Sequence, residues 1–211
     1  MLLAINTAFM DANIGLVLDN GKILGRTIDA KSKHSENVLK TIDEMCEEGN
    51  VLFRDIDKVA IVVGPGSFTG IRIGVAIIKA LGSVNTNLKV YPITSLELMA
   101  YIYLQNHKEK ITCVLNALSN LYFVASFDEN GNKIKKENMV EKLDHDDKLV
   151  VLKGDLVLDD ADSVEMDTSS LINFAKEILK EKDGISAEKL EPLYLRPSQA
   201  EANLKTNKKY D

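Results

Sequence analysis

Between residues 62 and 74 the chain reads VVGPGSFTGIRIG. A glycine-rich turn that carries a strand into a helix leaves free backbone N–H groups at the helix start, and such groups bind anions. Phosphate binding needs more than that. A P-loop adds Lys followed by Ser or Thr at the helix start, to reach the terminal phosphates and magnesium. Here Gly70 is followed by Ile71 and Arg72. The dinucleotide fingerprint GxGxxG is followed by an acidic residue about 20 positions on. Gly64, Gly66 and Gly70 place the third glycine one position late, and no such acid follows. What remains is weak anion affinity at Gly64, Gly66 and Ser67. Ser67 and Thr69 have no assignable general base, so helix capping is their expected role rather than nucleophilic attack.

The other reactive side chains are scattered. His34, His107 and His145 lie in unrelated segments and define no metal set. The acidic stretch DLVLDDADSVEMD lacks the alternating acids, glycine and final glutamate of a calcium loop. Cys46 and Cys113 stand apart in apolar contexts, without a CxxC pair, and read as buried thiols of a reducing compartment. The formal charge is −6 with no basic stripe, which argues against direct gripping of a nucleic-acid backbone. The N-terminus lacks the layout of a signal peptide, and no apolar run approaches the length of a membrane span. A cytoplasmic protein is expected.

Alternating and helical periodicities place the elements. LLAIN is a strand, and a hairpin follows it, turning at Asp19-Asn20-Gly21. From Ser35, as cap, to Glu48 the residues Val38, Leu39, Ile42, Met45 and Cys46 share a helical face. IDKVAIVVG is the strand before the glycine turn, and a helix runs on to about Leu81. LKVYPIT is a strand, and SLELMAYIYLQN is a helix capped by Ser95. The opening then recurs in ITCVLNALSNLYFVASFDENGNKIK. Asn6 and Asn116 are 110 residues apart, as are Gly21 and Gly131. A single offset for both a strand end and a turn indicates an internal duplication. The expected division is residues 1–105 and 106–211, the second with a mobile polar tail from Ser198.

The helix after the glycine turn is apolar all round, with Ile71, Val75 and Ile78 on one side and Ile73, Ile77 and Leu81 on the other. Such a helix is covered on both sides. Gly66, Gly70 and Gly74 recur every fourth residue and let another backbone come close. Close packing of helix on sheet would explain this. Cover by a partner subunit, with the Ser35–Glu48 helix beside it, is the favoured reading.

HSENVLKTIDEM, VVGPGSFTGIRIGVAIIKALG, YPITSLELMA and PLYLRPSQAE together resemble the TsaB (YeaZ) family of tRNA threonylcarbamoyladenosine biosynthesis proteins. The resemblance implies an α/β, duplicated actin-like fold (ASKHA, ribonuclease H-like) of two lobes, each a mixed β-sheet flanked by helices. It also implies a non-catalytic subunit that binds and activates a TsaD-type transferase. That enzyme threonylcarbamoylates N6 of adenosine 37 in tRNAs reading ANN codons, alongside a TsaE-like P-loop ATPase. ATP and metal are expected on those partners, with no cofactor on this chain. tRNA is reached only through the complex, and no membrane is involved.

The implied partner surface comprises Val38, Ile42 and Met45 on one helix and Gly70, Ile71, Gly74, Val75 and Ile78 on the other. The same helices would support a homodimer. Spacing does not decide which of these side chains faces partner and which faces core. Where the catalytic paralogue has a metal-binding HxxxH pair, this chain has Ser95 and Met99. Asn6-Thr7 stands where the family has Asp-Thr, and Asn116 begins NAL where the family has DAR. The resemblance therefore implies a vestigial nucleotide or anion site at Asn6, Thr7, Gly64, Gly66 and Ser67. The competing reading is an actin-fold enzyme in its own right: an ATPase, a kinase or a glycoprotease-like peptidase.

Overall fold

The computed structural model describes residues 1–29, 34–143 and 146–195. The side chains of His34, Ser35 and Glu36, together with His145 and the tail from Ser198, lie outside what is described, so the cap expected at Ser35 and the expected mobile tail do too.

β1 (Leu2–Asn6) is buried at every position, as a run with no polar alternation requires of a central strand. It pairs antiparallel with β2 (Ala12–Val17) and parallel with β4 (Lys58–Val62). β3 (Ile23–Ile28), β5 (Lys89–Ile93) and the short β11 (Ile185–Ser186) complete a sheet of order β11-β5-β4-β1-β2-β3. The second sheet repeats that plan. β6 (Ile111–Asn116), β7 (Tyr122–Phe127), β8 (Lys133–Val140), β9 (Lys148–Leu152) and β10 (Ala161–Val164) lie in the order β10-β9-β6-β7-β8. The turns repeat as well. Leu18 N donates to Lys22 O at 2.9 Å and Gly21 N to Leu18 O at 3.0 Å. Asp128 N donates to Asn132 O at 2.9 Å and Gly131 N to Asp128 O at 3.0 Å. Gly21 and Gly131 have φ of 86° and 84°, the left-handed conformation that explains glycine at both places. The duplication expected from the 110-residue offset is present, and the fold is a duplicated α/β one with two mixed sheets flanked by helices.

The helices are α1 (His34–Gly49), α2 (Phe68–Val84), α3 (Ser95–Leu104) and α4 (Thr168–Glu181). α1 and α2 flank the first sheet, whereas the links from β8 to β9 and from β9 to β10 are short. α3 and α4 are exchanged between the halves. Leu96, Met99, Ala100 and Tyr103 of α3 share a core with Ile111, Cys113, Phe127 and Val150 of the second sheet. Leu171, Ile172, Phe174, Ala175 and Ile178 of α4 belong to the first core. Tyr101 of α3 stacks on Phe174 of α4 at 4.8 Å between centroids. The boundary expected at 105 leaves α3 in the second core, while α4 and the short β11 from beyond it belong to the first core and the first sheet. Cys46 and Cys113 are free and buried, and burial pushes both thiols up. Among the described residues, no helix is long and apolar enough to cross a membrane.

Candidate functional site

The glycine turn between β4 and α2 is tied on three sides by its own chain. Ser67 N donates to Ala8 O at 2.7 Å, fixing the turn to the end of β1. Ser95 N donates to Gly64 O at 2.8 Å and Ser95 Oγ to Pro65 O at 2.6 Å, fixing it to α3. Leu193 N donates to Val63 O at 2.9 Å, which lays the C-terminal segment along it. Ser67 caps α2, its Oγ accepting from Gly70 N at 3.2 Å, as expected from the absence of a base. α3 is capped by Thr94 rather than Ser95, whose hydroxyl is already committed to Pro65.

The residues expected to form a vestigial anion site do come together, but as a joint. Asn6 Oδ1 accepts from Ala8 N at 3.0 Å, and Asn6 Nδ2 lies 3.6 Å from Met166 Sδ. Ser67 N donates to Ala8 O, Gly70 N to Ser67 Oγ and Ile71 N to Ser67 O. Thr7 is buried and its hydroxyl faces α2. A Cβ at Gly66 would stand 2.4 Å from Ala8 O, one at Gly70 1.9 Å from Thr7 O, and one at Gly74 2.6 Å from Thr7 Oγ1. The glycine stripe exists so that α2 can lie directly on the end of β1. Asn6, Thr7, Gly64, Gly66 and Ser67 form the contact between the end of β1 and the start of α2.

The second strand end matches the first. Asn116 Oδ1 accepts from Leu118 N at 2.8 Å, the same two-residue turn that Asn6 closes, and Asn116 N donates to Asp155 Oδ2 at 2.7 Å. Burial raises the Asp155 carboxyl above the ordinary range, only partly opposed by that N–H. Sequence reading passed over Asp155 as one acid among many; the turn glycine before it, Gly154 at φ 83°, was the available signal. Ser95 and Met99, which the sequence resemblance sets at the positions of a metal-binding histidine pair, are both buried, Met99 in the core of the second sheet. A hydroxyl spent on a carbonyl and a core thioether offer no ligand pair for a hard catalytic metal.

The expected partner surface must be corrected. Val38, Ile42, Met45 and Ile78 are 0% exposed, Ile71 2% and Val75 6%, while Gly70 and Gly74 are buried against Thr7. All of them face this chain's own core. Both sides of α2 are apolar, and spacing did not say which one the sheet takes. The outward side of α1 is charged, with Lys40, Asp43, Glu44, Glu47 and Glu48 exposed beside Leu39. The outward side of α2 is different. Ile73 and Ile77 are half-exposed, Ala76 and Ala80 are exposed, and Val84 is 72% exposed. This strip of small and branched apolar side chains is open to solvent in the chain alone. At its N-terminal end Arg72 lies over the Phe68 ring, 3.8 Å from the centroid, and Arg72 Nε donates to Tyr194 Oη at 2.8 Å. The rings of Phe68 and Tyr194 are 5.0 Å apart. Nothing in the sequence pattern joined Tyr194 to α2 across that separation.

The family described as "TsaD: tRNA N6-adenosine threonylcarbamoyltransferase" matches residues 28–201. The chain belongs to this family. Relatives from both sides of the family match it: several bear the name TsaB, and the "tRNA N6-adenosine threonylcarbamoyltransferase" of Persephonella marina is 27% identical over 47% of this chain and 30% of that one. The chain is 27% identical over 153 residues to the "tRNA threonylcarbamoyladenosine biosynthesis protein TsaB" of Buchnera aphidicola subsp. Acyrthosiphon pisum, covering 69% of this chain and 68% of that one. It is 24% identical to the protein of that name from Escherichia coli, covering 94% and 96%. "YeaZ from Pseudomonas aeruginosa" shares the fold with a TM-score of 0.72 and 19% identity, over 92% of this chain and 99% of that one. The family assignment agrees with the sequence resemblance.

Proposed function

We propose that this chain is a non-catalytic subunit of tRNA threonylcarbamoyladenosine biosynthesis, one that binds and supports a TsaD-type transferase acting on N6 of adenosine 37. The outward strip of α2, from Ile73 to Val84, carries the reading. A surface helix normally presents a broad polar face to water, and exposed apolar strips of this kind mark interaction sites. The chemistry of the strand ends points the same way. Asn6 and Asn116 spend their amide oxygens on local turns, and Ser95 and Met99 replace the paralogue's metal-binding histidines. ATP and metal then belong to the transferase and to a TsaE-like P-loop ATPase. tRNA is met through the complex in the cytoplasm, and the free chain can pair with itself through the same strip.

Co-purification with the TsaD-type protein of the same cell tests the proposal. Ala80→Glu should abolish the complex while leaving the thermal melt unchanged, because Ala80 is exposed. Val75→Glu is not a usable probe, since Val75 is core and its loss would unfold the first lobe. A complex that survives Ala80→Glu means that the docking face is elsewhere. ATP turnover by the purified chain alone, lost on substitution of Asn6 or Asp155, would support the enzyme reading instead.

A further inference from the structure

We infer that Arg72, held between Phe68 and Tyr194, is the polar anchor of the docking face, and that the protein partner meets it with an aspartate or glutamate carboxylate. The inference rests on the docking reading above and adds to it the chemistry of one contact. The guanidinium is fixed before any partner arrives, because Phe68 lies beneath it and Tyr194 Oη accepts from its Nε. Among the described residues its Nη1 and Nη2 groups have no hydrogen-bond partner and no ion pair, although the chain carries an excess of carboxylates. A planar fork with its orientation set and its outer N–H groups unspent matches a carboxylate in two-point contact. Arginine and tyrosine side by side at the end of an apolar strip are also the side chains that dominate interface energetics. The order imposed on the guanidinium removes entropy that binding would otherwise cost.

A phosphate backbone is the other anion such a fork could take. The flanking charge disfavours it. α1 packs beside α2 and turns Lys40, Asp43, Glu44, Glu47 and Glu48 outward; Glu44 pairs with Lys40 and Glu48 with Lys22 and Arg26, so Asp43 and Glu47 leave that side net negative, and on α2 only Lys79 joins Arg72 as a cation. A single carboxylate, on a protein otherwise apolar at the contact, meets less of that repulsion than a row of phosphates does.

Titration calorimetry of this chain against the TsaD-type transferase, at low and high salt, tests the contact. Arg72→Ala should weaken binding by about tenfold or more and flatten its salt dependence. Arg72→Lys, which keeps charge but loses the fork, should recover only part of that. Tyr194→Phe keeps the ring and removes the acceptor of Nε, and should cost about two- to fivefold; it carries the test if Arg72→Ala does not fold. Unchanged affinity in the Arg72 variants, with binding abolished by Ala80→Glu, overturns the carboxylate contact and leaves the docking face standing. Unchanged affinity in all of them overturns both. tRNA binding by the chain alone that falls with Arg72→Ala overturns the assignment of a protein carboxylate.

Discussion

A threonine hydroxyl left without a partner in a protein interior costs about 1–3 kcal/mol. Thr7 Oγ1 is such a group among the described residues. It sits where a side chain on Gly74 would be, against the backbone of α2. If the turn is a joint, Thr7→Val should leave the packing intact and raise stability by about 1 kcal/mol, a gain of about 2–4 °C in Tm. Gly70→Ala should act in the opposite sense. Its Cβ would stand 1.9 Å from Thr7 O, so α2 must move, at about 1–3 kcal/mol. Thermal melts of the two variants check the pair; a Thr7→Val protein that melts lower means the hydroxyl has a use. The glycines were legible in the sequence, and so was the close approach they permit. What approaches them was not, because the groups that fill the groove belong to Thr7 and Ala8, 58 to 67 positions away on another strand end.

At the start of α3 a small charged network binds three elements. Glu97 accepts from Thr94 N at 2.7 Å and pairs with Lys133 Nζ of β8 at 3.1 Å and Lys182 Nζ, just past α4, at 3.4 Å. Lys133 also pairs with Glu137, which accepts from Thr94 Oγ1 at 2.8 Å. Burial pushes the Glu97 carboxyl up, but the Thr94 N–H and the two lysines outweigh it and hold the carboxyl below its ordinary range. A depressed native value gives stability that is present above the unfolded value, about 4.3, and lost as pH falls through the native one. Glu97→Gln should therefore cost about 1.5–3 kcal/mol near neutrality and almost nothing in strong acid. Denaturant unfolding of both proteins from pH 7 to pH 3 measures it, and a difference that does not shrink with acid removes Glu97 from that role. The Thr-x-x-Glu capping box was present in the sequence, where a neighbouring serine drew the cap one residue late. Helix existence follows from local periodicity; which hydroxyl caps depends on Pro65, brought in by the fold. The same distinction separates α1 from α2. Both patterns are wide, yet only α2 keeps an apolar outward side, while that of α1 is acidic.

The molecule as a whole is two copies of one plan joined by exchanged helices. The duplication was visible because turns and strand ends keep a fixed offset. The exchange was not, because α3 and α4 each have an apolar face that would suit either sheet, and sequence order assigns each to the nearer one. Structure assigns them to the farther one, with a physical consequence. α4 lies so close on β2 that a Cβ at Gly15 would stand 2.3 Å from Ile172 Cγ1. Leu171, Ile172, Phe174, Ala175 and Ile178 complete the first core, and β11 extends its sheet edge. Residues 1–105 alone would expose the sheet face that α4 covers, while α3, with Leu96, Met99 and Tyr103 on its inner side, would have no sheet to pack on. Burying a large apolar side chain contributes about 1.5–3 kcal/mol, so losing several at once exceeds the stability of an ordinary domain. The fragment 1–105 is expected to show no cooperative melt and dispersed amide signals only when a peptide spanning residues 161–195 is added. A cooperative transition from the fragment alone would mean that the first half closes its own core, and that the exchanged helices are an embellishment rather than the bond between the lobes.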